Sequence, residues 1–321
     1  MRTAKTVPYG LSSMEELLEL LGITEKRLEE TIKLGYLTYK RKQDGKVRQI
    51  EEPNFELKRM QGRLNSYLQG ALKCPEYCKA GFKGQNNIKN AELHRFKREV
   101  LTMDISHYFP NTKEEYVRRF FAETFKPTDK VLDILIKLTT FKGHLPTGAP
   151  TSLLISNFAH KELFDSIYNK TKELGADMTC YVDDITISTK QHLANSIINF
   201  VDGILKTHGL HLKKSKTRRY GFKHAIVTGV HIDQSGKMSA SHKIHYDISV
   251  ALKKKKIAQM SLYELQHLLA KISYVRQFSP NFMSKTRIKI IKQLKKIDFV
   301  RRDKGYRFSP TPNLYKKLMY I

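Results

Sequence analysis

Two stretches of the chain place acidic residues beside apolar segments. Asp104 ends the apolar run 100–103, and the adjacent pair Asp183 and Asp184 lies between two short apolar segments. A carboxylate at the end of a buried strand is costly without a cation or a hydrogen-bond donor. Two acids at a hairpin turn can approach one point, which favours a cation site. The alternatives are a cap or turn acid for Asp104 and an ordinary Asp-rich turn for the pair.

The elements that must position these acids follow from the hydrophobic pattern. Residues 100–105, 178–182 and 185–188 have the composition of short strands, so the pattern predicts that the acids lie at strand ends. Towards the N-terminus, Ser13 with Glu16 is a capping box, and a second short helix is predicted over 24–34. Segments 36–41 and 46–50 flank Asp44-Gly45, a pair that favours a tight hairpin turn.

The C-terminal part combines helix signals with a large positive charge. Ser261 with Glu264 makes another capping box, and apolar residues at 262, 265, 268, 269 and 272 lie on one helix face. Residues 251–321 contain eighteen Lys and Arg but three acids, whereas the net charge of all 321 residues is +27. We expect this part to bind a polyanion, and we favour nucleic acid. The alternatives are a solvated basic face and a patch that contacts an anionic membrane.

Composition excludes several classes of protein. With 40% apolar residues the chain can bury a large core, which excludes disorder. Three cysteines are too few for a disulfide framework and indicate a reducing compartment, so we expect a cytoplasmic location. No apolar run approaches the length of a membrane span and residues 1–10 contain no apolar core of a signal peptide, so no membrane partner is expected.

An ordered series of motifs resembles the right-hand polymerase fold of reverse transcriptases, most strongly over residues 36–235. Residues 48–53 (RQIEEP), with Leu57, Lys58 and Gln61, resemble the fingers block. The segments that resemble the four palm blocks are, in order, 104–110 (DISHYFP), 145–152 (LPTGAPTS) with 156–157 (SN), 181–184 (YVDD), and Gly209-Leu210 followed by Lys216. A bare YVDD is weak evidence, whereas five blocks in the family's order are strong evidence.

Two further segments resemble the bacterial retron branch of that family. Asn90 and His94 lie in an N-A-x-x-H segment, and Val227, Thr228 and Gly229 form a V-T-G element. The resemblance implies that both segments take part in RNA binding. Chance occurrence, as a helix start with a surface histidine and as a strand followed by a turn glycine, is the alternative for each segment alone.

The resemblance implies an α+β fold with fingers, a palm whose antiparallel sheet packs on helices, and a helical thumb. We predict an N-terminal helical segment over 1–35, fingers and palm over 36–235, and a basic helical thumb that binds RNA over 236–321. Lysines 253–256 (Lys253, Lys254, Lys255 and Lys256) are expected to contribute RNA affinity without sequence information.

The implied chemistry is phosphoryl transfer with two Mg²⁺ ions. Asp104 and Asp183 are the expected ligands, Asp184 is the third acid by resemblance, and the backbone carbonyl of Ile105 is implied to contact one ion. Lys216 is expected to steady the triphosphate or to protonate pyrophosphate; a surface lysine is the alternative. Among the basic residues of the fingers hairpin (Arg41, Lys42 and Arg48), the sequence does not assign which one grips the triphosphate.

Substrate recognition is expected at three further positions. Phe109 is implied to lie against the incoming sugar and exclude a 2′-hydroxyl, with a core aromatic beneath the palm as the alternative. Thr147 and Gly148 belong to the block in which the family usually has Gln at the position of Thr147. The shorter Thr147 side chain puts its contact with a sugar hydroxyl in question.

The predicted function is therefore RNA-directed DNA synthesis by a retron-type enzyme. The implied substrates are dNTPs and a dedicated structured noncoding RNA, the implied product is a branched RNA-linked single-stranded DNA, and an effector protein for phage defence is an implied partner. Host ribonuclease H is expected to remove the template, since no nuclease domain is recognised. The alternatives are a group II intron-like or other bacterial reverse transcriptase and an inactive RNA-binding scaffold with the palm fold.

Overall fold

The computed structural model describes residues 10–43, 45–221 and 224–303, which form two compact units that divide between residues 222 and 223. The sequence predicts a boundary between 235 and 236. The compact units divide earlier, because the described strands that follow residue 223 pair with one another. The division into fingers, palm and thumb stays a prediction. Helices combined with antiparallel sheets confirm the predicted α+β class.

The first unit contains ten described α-helices and six described strands. The helices are α1 (Met14–Leu21), α2 (Glu25–Leu34), α3 (Phe55–Ala71), α4 (Asn87–Glu92), α5 (Tyr108–Asn111), α6 (Glu114–Phe125), α7 (Asp129–Thr139), α8 (Ser152–Ala159), α9 (Lys161–Glu173) and α10 (Ser196–Thr207). The strands are β1 (Tyr36–Gln43), β2 (Lys46–Pro53), β3 (Glu99–Asp104), β4 (Asp177–Tyr181), β5 (Asp184–Thr189) and β6 (Arg218–Tyr220).

The predicted N-terminal elements are confirmed with their caps. The Ser13 hydroxyl accepts from the backbone of Glu16, and the Glu16 carboxylate accepts in return, so two of the unpaired N–H groups at the start of α1 are satisfied. The Thr24 hydroxyl caps α2 by accepting from the backbone N–H of Arg27. Strands β1 and β2 form the predicted hairpin, although Asp44 of its turn lies outside the described residues.

A four-stranded antiparallel sheet in the order β4-β5-β3-β6 is the centre of the first unit. Side chains alternate across a strand, so Ile185 and Ile187 of β5 enter one apolar core while Thr186 and Ser188 lie on the opposite face. That core is completed by buried side chains of α9 and α10. A second core joins α1, α3, α6, α7 and α8. The sheet is thereby held rigid beneath the strand ends that carry the acids.

The second unit contains β7 (His224–Val227), β8 (Val230–Asp233) and β9 (Met238–Ala240), followed by α11 (His242–Lys254), α12 (Leu262–Arg276) and α13 (Ser284–Asp303). The predicted capping box of Ser261 and Glu264 begins α12. Its predicted apolar face lies in a core shared with α11 and α13. Within the predicted thumb, 236–321, the described elements include β9 as well as α11, α12 and α13, and residues 304–321 lie outside the described part.

Candidate active site

The β4–β5 hairpin brings the two adjacent acids to one end of the sheet. Tyr181 and Asp184 are Cα partners, so Val182 and Asp183 form a two-residue turn. Val182 has φ of +60°, a left-handed conformation that is unfavourable for a β-branched residue. The fold tolerates this strain at the point where the acids are presented, and such strain concentrates at functional sites.

Asp104 lies beside this turn because β3 pairs with β5. Its Cα is the register partner of that of Asp184, and the residue is only 6% exposed. The next residue, Ile105, donates its backbone N–H to the carbonyl of Asp183 at 2.8 Å. The structure therefore brings Asp104, Asp183 and Asp184 together, as the spacing predicts, and places Ile105 beside them.

The electrostatics of the three acids are those of a buried group of like charges. Burial, and then the charge of Asp104, raises the pKa of Asp183. Burial, and then the charges of Asp183 and Asp104, raises the pKa of Asp184 to about 7. Each shift means that a second negative charge is costly here. A cation bound among these carboxylates would remove that cost.

Lys216 supplies one such cation from within the chain. It ends a short 3₁₀ helix (Lys214–Lys216), and its ammonium forms an ion pair with the Asp104 carboxylate. Lys213, which precedes this helix, is also held at the site, because its backbone N–H donates to the carbonyl of Asp104 at 2.7 Å. The resemblance singles out Lys216 with a surface lysine as the alternative, and the structure places its ammonium at the carboxylate of Asp104.

The donor set has the chemistry of a site for hard divalent cations. Carboxylate oxygens are the ligands that Mg²⁺ and Ca²⁺ prefer. Burial, and then repulsion between neighbouring carboxylates, raises the pKa values of Asp183 and Asp184. In the described part of the chain, no three or more His, Cys, Asp or Glu side chains are arranged as a ready ligand cluster. The Lys216 ammonium is the positive charge that Asp104 contacts in this arrangement.

Arg48 is the basic residue of the β1–β2 hairpin whose charge acts on this site. It is exposed on β2, directly opposite Arg41, and its charge opposes the increase in the pKa of Asp183 that burial and Asp104 cause. Among the three candidates that the sequence left open, Arg48 therefore has an electrostatic connection to the acids.

The predicted Thr147-Gly148 block packs against β2. The Thr147 hydroxyl donates to the carbonyl of Gln49 and accepts from the N–H of Glu51, both at 3.3 Å. The N–H of Gly148 donates to the carbonyl of Glu51 at 3.2 Å, and a Cβ at Gly148 would lie 2.6 Å from that oxygen. The glycine is needed for this close approach. The Thr147 hydroxyl is thus engaged by backbone rather than presented alone to a sugar.

Sequence reasoning missed a second contact between the same two segments. His144 Nε2 lies 3.1 Å from a carboxylate oxygen of Glu51, which is 6% exposed. The spacing of 93 residues between them carried no signal. Together with Gly148, this contact fixes the hairpin β1–β2 to the segment that precedes α8.

Phe109 lies on α5, five residues after Asp104. Its ring is half-buried and packs against both apolar cores of the first unit, with its centroid 5.7 Å from that of Tyr108. His107, the N-cap residue that precedes α5, has φ of +48°, so the chain turns sharply between Asp104 and Phe109. The packing covers part of the ring and leaves the rest of it exposed.

Asn90 and His94 are buried, at 0% and 1% exposure, rather than displayed on a surface. His94 Nδ1 lies 2.7 Å from the Ser188 hydroxyl and Nε2 lies 2.7 Å from that of Thr179, so both ring nitrogens are occupied. Burial lowers the pKa of His94 to about 3, which keeps the imidazole neutral. A direct contact with RNA is not available to either side chain in this structure. His94 instead bridges β4 and β5 through these two hydroxyls, and a part of both residues in RNA binding stays a prediction.

The other predicted RNA-binding residues lie in the second unit. Val227 is buried, while Thr228 and Gly229 form the two-residue turn between β7 and β8, with φ of +46° and +81°. Lysines 253–256 are exposed at the end of α11 and just beyond it. Lys255 also forms an ion pair with Glu264 at 3.1 Å.

Comparison with protein families gives a match to the family described as "Reverse transcriptase (RNA-dependent DNA polymerase)" over residues 40–272. The match covers more than half of the chain and contains all three acids. The chain belongs to the reverse transcriptase family. The members of this family that resemble it include the retron Se72 reverse transcriptase of Salmonella heidelberg (strain 579083-10), with 29% identity over 64% of this chain and 57% of that protein.

Two other similar reverse transcriptases come from Escherichia coli. The retron Ec48 reverse transcriptase is 26% identical over 62% of this chain and 52% of its own length, and the retron Ec73 reverse transcriptase is 27% identical over 79% and 86%. The matched region thus spans little more than half of the first two relatives. These similarities confirm the predicted resemblance to retron-type reverse transcriptases. No described helix combines the length and apolar character required to cross a membrane.

Proposed function

We propose that this reverse transcriptase family member is an RNA-directed DNA polymerase. The observation that carries the proposal is the meeting of Asp104, Asp183 and Asp184 at paired strand ends, where burial and then mutual repulsion raise the pKa values of Asp183 and Asp184. An inactive scaffold would have no use for three acids whose proximity is costly to folding. In this proposal β1–β2 belongs to the fingers, the four-stranded sheet to the palm, and α11–α13 to the thumb.

The acidic residues of the first unit are the proposed ligands of the catalytic metal ions. Asp104 and Asp183 would hold divalent ions, proposed to be Mg²⁺, with Asp184 as third acid and the Ile105 carbonyl as a further ligand. Bound Mg²⁺ would neutralise charge on the transferring phosphoryl group and activate the primer hydroxyl.

The positively charged side chains would act on the triphosphate. Arg48 is the proposed contact from the hairpin, because its charge already acts on Asp183. Lys216 would leave Asp104 as the acids are neutralised and would steady the triphosphate or supply a proton to pyrophosphate. Phe109 and Gly148 would bound the position of the incoming dNTP, with Phe109 facing its sugar. Thr147, whose hydroxyl is engaged by β2, would act by fixing that boundary.

The similarity to retron reverse transcriptases supports a narrower proposal. We propose that the template is a dedicated structured noncoding RNA, that a 2′-hydroxyl of that RNA primes synthesis, and that the product is a branched RNA-linked DNA. An effector protein in antiphage defence and a host ribonuclease H are the proposed partners. The three cysteines are free, which supports a reducing compartment, and we propose the cytoplasm.

RNA affinity is proposed to come mainly from the second unit. The Thr228-Gly229 turn and the exposed lysines 253–256 would contact RNA, the lysines through phosphates. Reversing the four lysine charges should weaken binding to all RNAs and flatten the salt dependence. A loss of affinity for one RNA alone would contradict this division of roles.

The direct test uses the chain together with the genomic region that precedes its gene. DNA isolated from expressing bacteria should include a single-stranded species that shortens after ribonuclease treatment, because RNA is covalently attached. If this species is absent but the purified protein extends a DNA primer on poly(rA), the proposed polymerase activity stands and the proposed retron-type product is contradicted. Absence of both activities would contradict the proposed function itself.

A further inference from the structure

The second unit contains a groove between α11 and α12 with a volume of about 330 Å³. This lies at the lower end of the range of roughly 300–1,000 Å³ that is typical of small-ligand sites. It is lined by Tyr246, Asp247, Val250, Ala251, Lys254, Lys255, Met260, Glu264 and Lys271. The groove suits a single planar group with its sugar and is too small for a duplex.

The wall and the floor of the groove are apolar. Tyr246 is 70% exposed, an unusual state for a large aromatic side chain in a packed helix pair. Met260 is 6% exposed and belongs to the core between the helices, as does the partly buried Ala251. An aromatic face above an apolar floor is the arrangement on which unpaired bases stack.

The charges of the groove are arranged so that positive charge is left over at its rim. Asp247 pairs with Lys271 at 2.9 Å, which holds the pKa of this carboxyl below its usual range. Glu264 accepts from the backbone N–H of Ser261 and pairs with Lys255 at 3.1 Å, and together these lower its pKa. Lys254 is exposed and has no carboxylate partner within the described residues. A phosphate next to the bound group would therefore meet an unpaired ammonium.

We propose that this groove binds one unpaired nucleotide of an RNA, with its base stacked on Tyr246 and an adjacent phosphate on Lys254. The inference rests on the proposed function, since RNA is the polyanion that the chain would hold. It adds a site that reads RNA structure: a nucleotide enters only where it is bulged or in a loop, because the groove cannot accept a paired base. The ion pair of Asp247 and Lys271 offers an acceptor and a donor to the edge of the base.

The test compares two short RNA hairpins that differ only in one bulged 2-aminopurine nucleotide, using the full chain in the presence of a chelator. The wild-type protein should bind the bulged hairpin more tightly and quench the fluorescence of the 2-aminopurine, because stacking on an aromatic ring quenches it. Tyr246→Leu should weaken binding to the bulged hairpin by between about fivefold and a hundredfold. Tyr246→Phe should retain both the preference and the quenching.

Matched controls come from the same unit. Tyr263 is 67% exposed but does not line the groove, so Tyr263→Leu should change nothing. Lys254→Gln should weaken binding of the bulged hairpin more than Lys253→Gln does. Lys253 lies at the same helix end but does not line the groove. Melting curves verify that every variant is folded.

Several results would overturn the inference. Equal wild-type affinity for the two hairpins would do so, as would full quenching in Tyr246→Leu. Tyr246-dependent binding of an acidic peptide or of free AMP, without any preference for the bulged hairpin, would assign the groove to another ligand. A wild-type protein that extends primers but ignores the bulge contradicts this inference alone, whereas one that prefers the bulge but extends no primer contradicts only the proposed polymerase activity.

Discussion

The ammonium group of Lys216 pairs with the carboxylate of Asp104 across 112 residues of sequence. The pair places a protein cation where the proposed function requires a metal ion. Binding of a divalent ion at Asp104 would therefore have to displace Lys216, which would free this ammonium for the triphosphate.

Replacing Lys216 with Met tests this exchange, because the apolar stem is kept and only the charge is lost. We expect half-maximal DNA synthesis at a severalfold lower Mg²⁺ concentration, with kcat reduced about tenfold or more through loss of charge and proton donation at the phosphates. Lys214→Met, two residues earlier and exposed, is the control. Identical metal dependence in the two variants would remove Lys216 from the site.

The pKa of Asp184, raised to about 7 by burial and by the neighbouring acids, predicts a pH dependence of stability. The folded protein keeps a proton that the unfolded chain loses near pH 4, so the free energy of unfolding falls between about pH 4 and pH 7. Asp184→Asn should raise the melting temperature of metal-free protein above pH 7, by about 2–4 °C per kcal/mol of relieved repulsion.

Near pH 4 the same substitution should have little effect, because Asp184 is already protonated. Asp133→Asn, which alters a half-exposed carboxylate outside the site, should show no gain that grows with pH. Thermal melts in chelator across this pH range measure both variants. A gain from Asp184→Asn that is independent of pH would contradict the assigned electrostatics.

Substitution of Phe109 tests whether its ring contacts the substrate or only the core. If its ring excludes a 2′-hydroxyl, Phe109→Val should raise the kcat/KM for ribonucleotides relative to deoxynucleotides by about tenfold or more. Phe158→Val removes a partly buried ring of the second core and should lower stability without changing sugar choice. Single-nucleotide incorporation with paired dNTP and rNTP decides, and unchanged discrimination in a folded, active Phe109 variant would show that the ring is core alone.

His94 is expected to act on stability rather than on RNA. His94→Ala leaves a cavity and two hydroxyls without their partners, so we expect the free energy of unfolding to fall by about 2–5 kcal/mol. Denaturant melts measure this change, and RNA affinity below the transition should be unchanged. His267→Ala, at an exposed position, is the control for both measurements. Lost RNA affinity at full stability would restore the direct contact.

The low pKa of His94 also predicts the direction in which stability changes in acid. Burial keeps the folded imidazole neutral down to about pH 3, while the unfolded chain takes up a proton near pH 6.5. The wild-type protein should therefore lose stability as the pH falls through this window, and His94→Ala should lose less of it.

Parts of the site were predictable because local sequence fixes them. An acid after an apolar strand and two acids between short strands predict a meeting point at strand ends, and β3 paired with β5 provides it. The caps at Ser13 and Ser261 are equally local, since each depends on a residue three positions away.

Other parts depend on contacts between segments far apart in the chain, which no spacing reveals. The resemblance singles out Lys216, but its ion pair with Asp104 joins residues 112 positions apart in the chain. The burial of His94 depends on Ser188 and Thr179, and the engagement of Thr147 depends on the backbone of β2. A motif identifies such residues but does not distinguish a surface contact from a core one.

Replacement of Asp183 and Asp184 by Asn tests the central claim most directly. The change keeps side-chain size and removes the charges that would bind metal, so primer extension on an RNA template with Mg²⁺ should be abolished while RNA affinity in a filter-binding assay is nearly unchanged. Retention of DNA synthesis within about tenfold of wild type, on the order of 1.4 kcal/mol in activation free energy, would contradict the role of these carboxylates in catalysis.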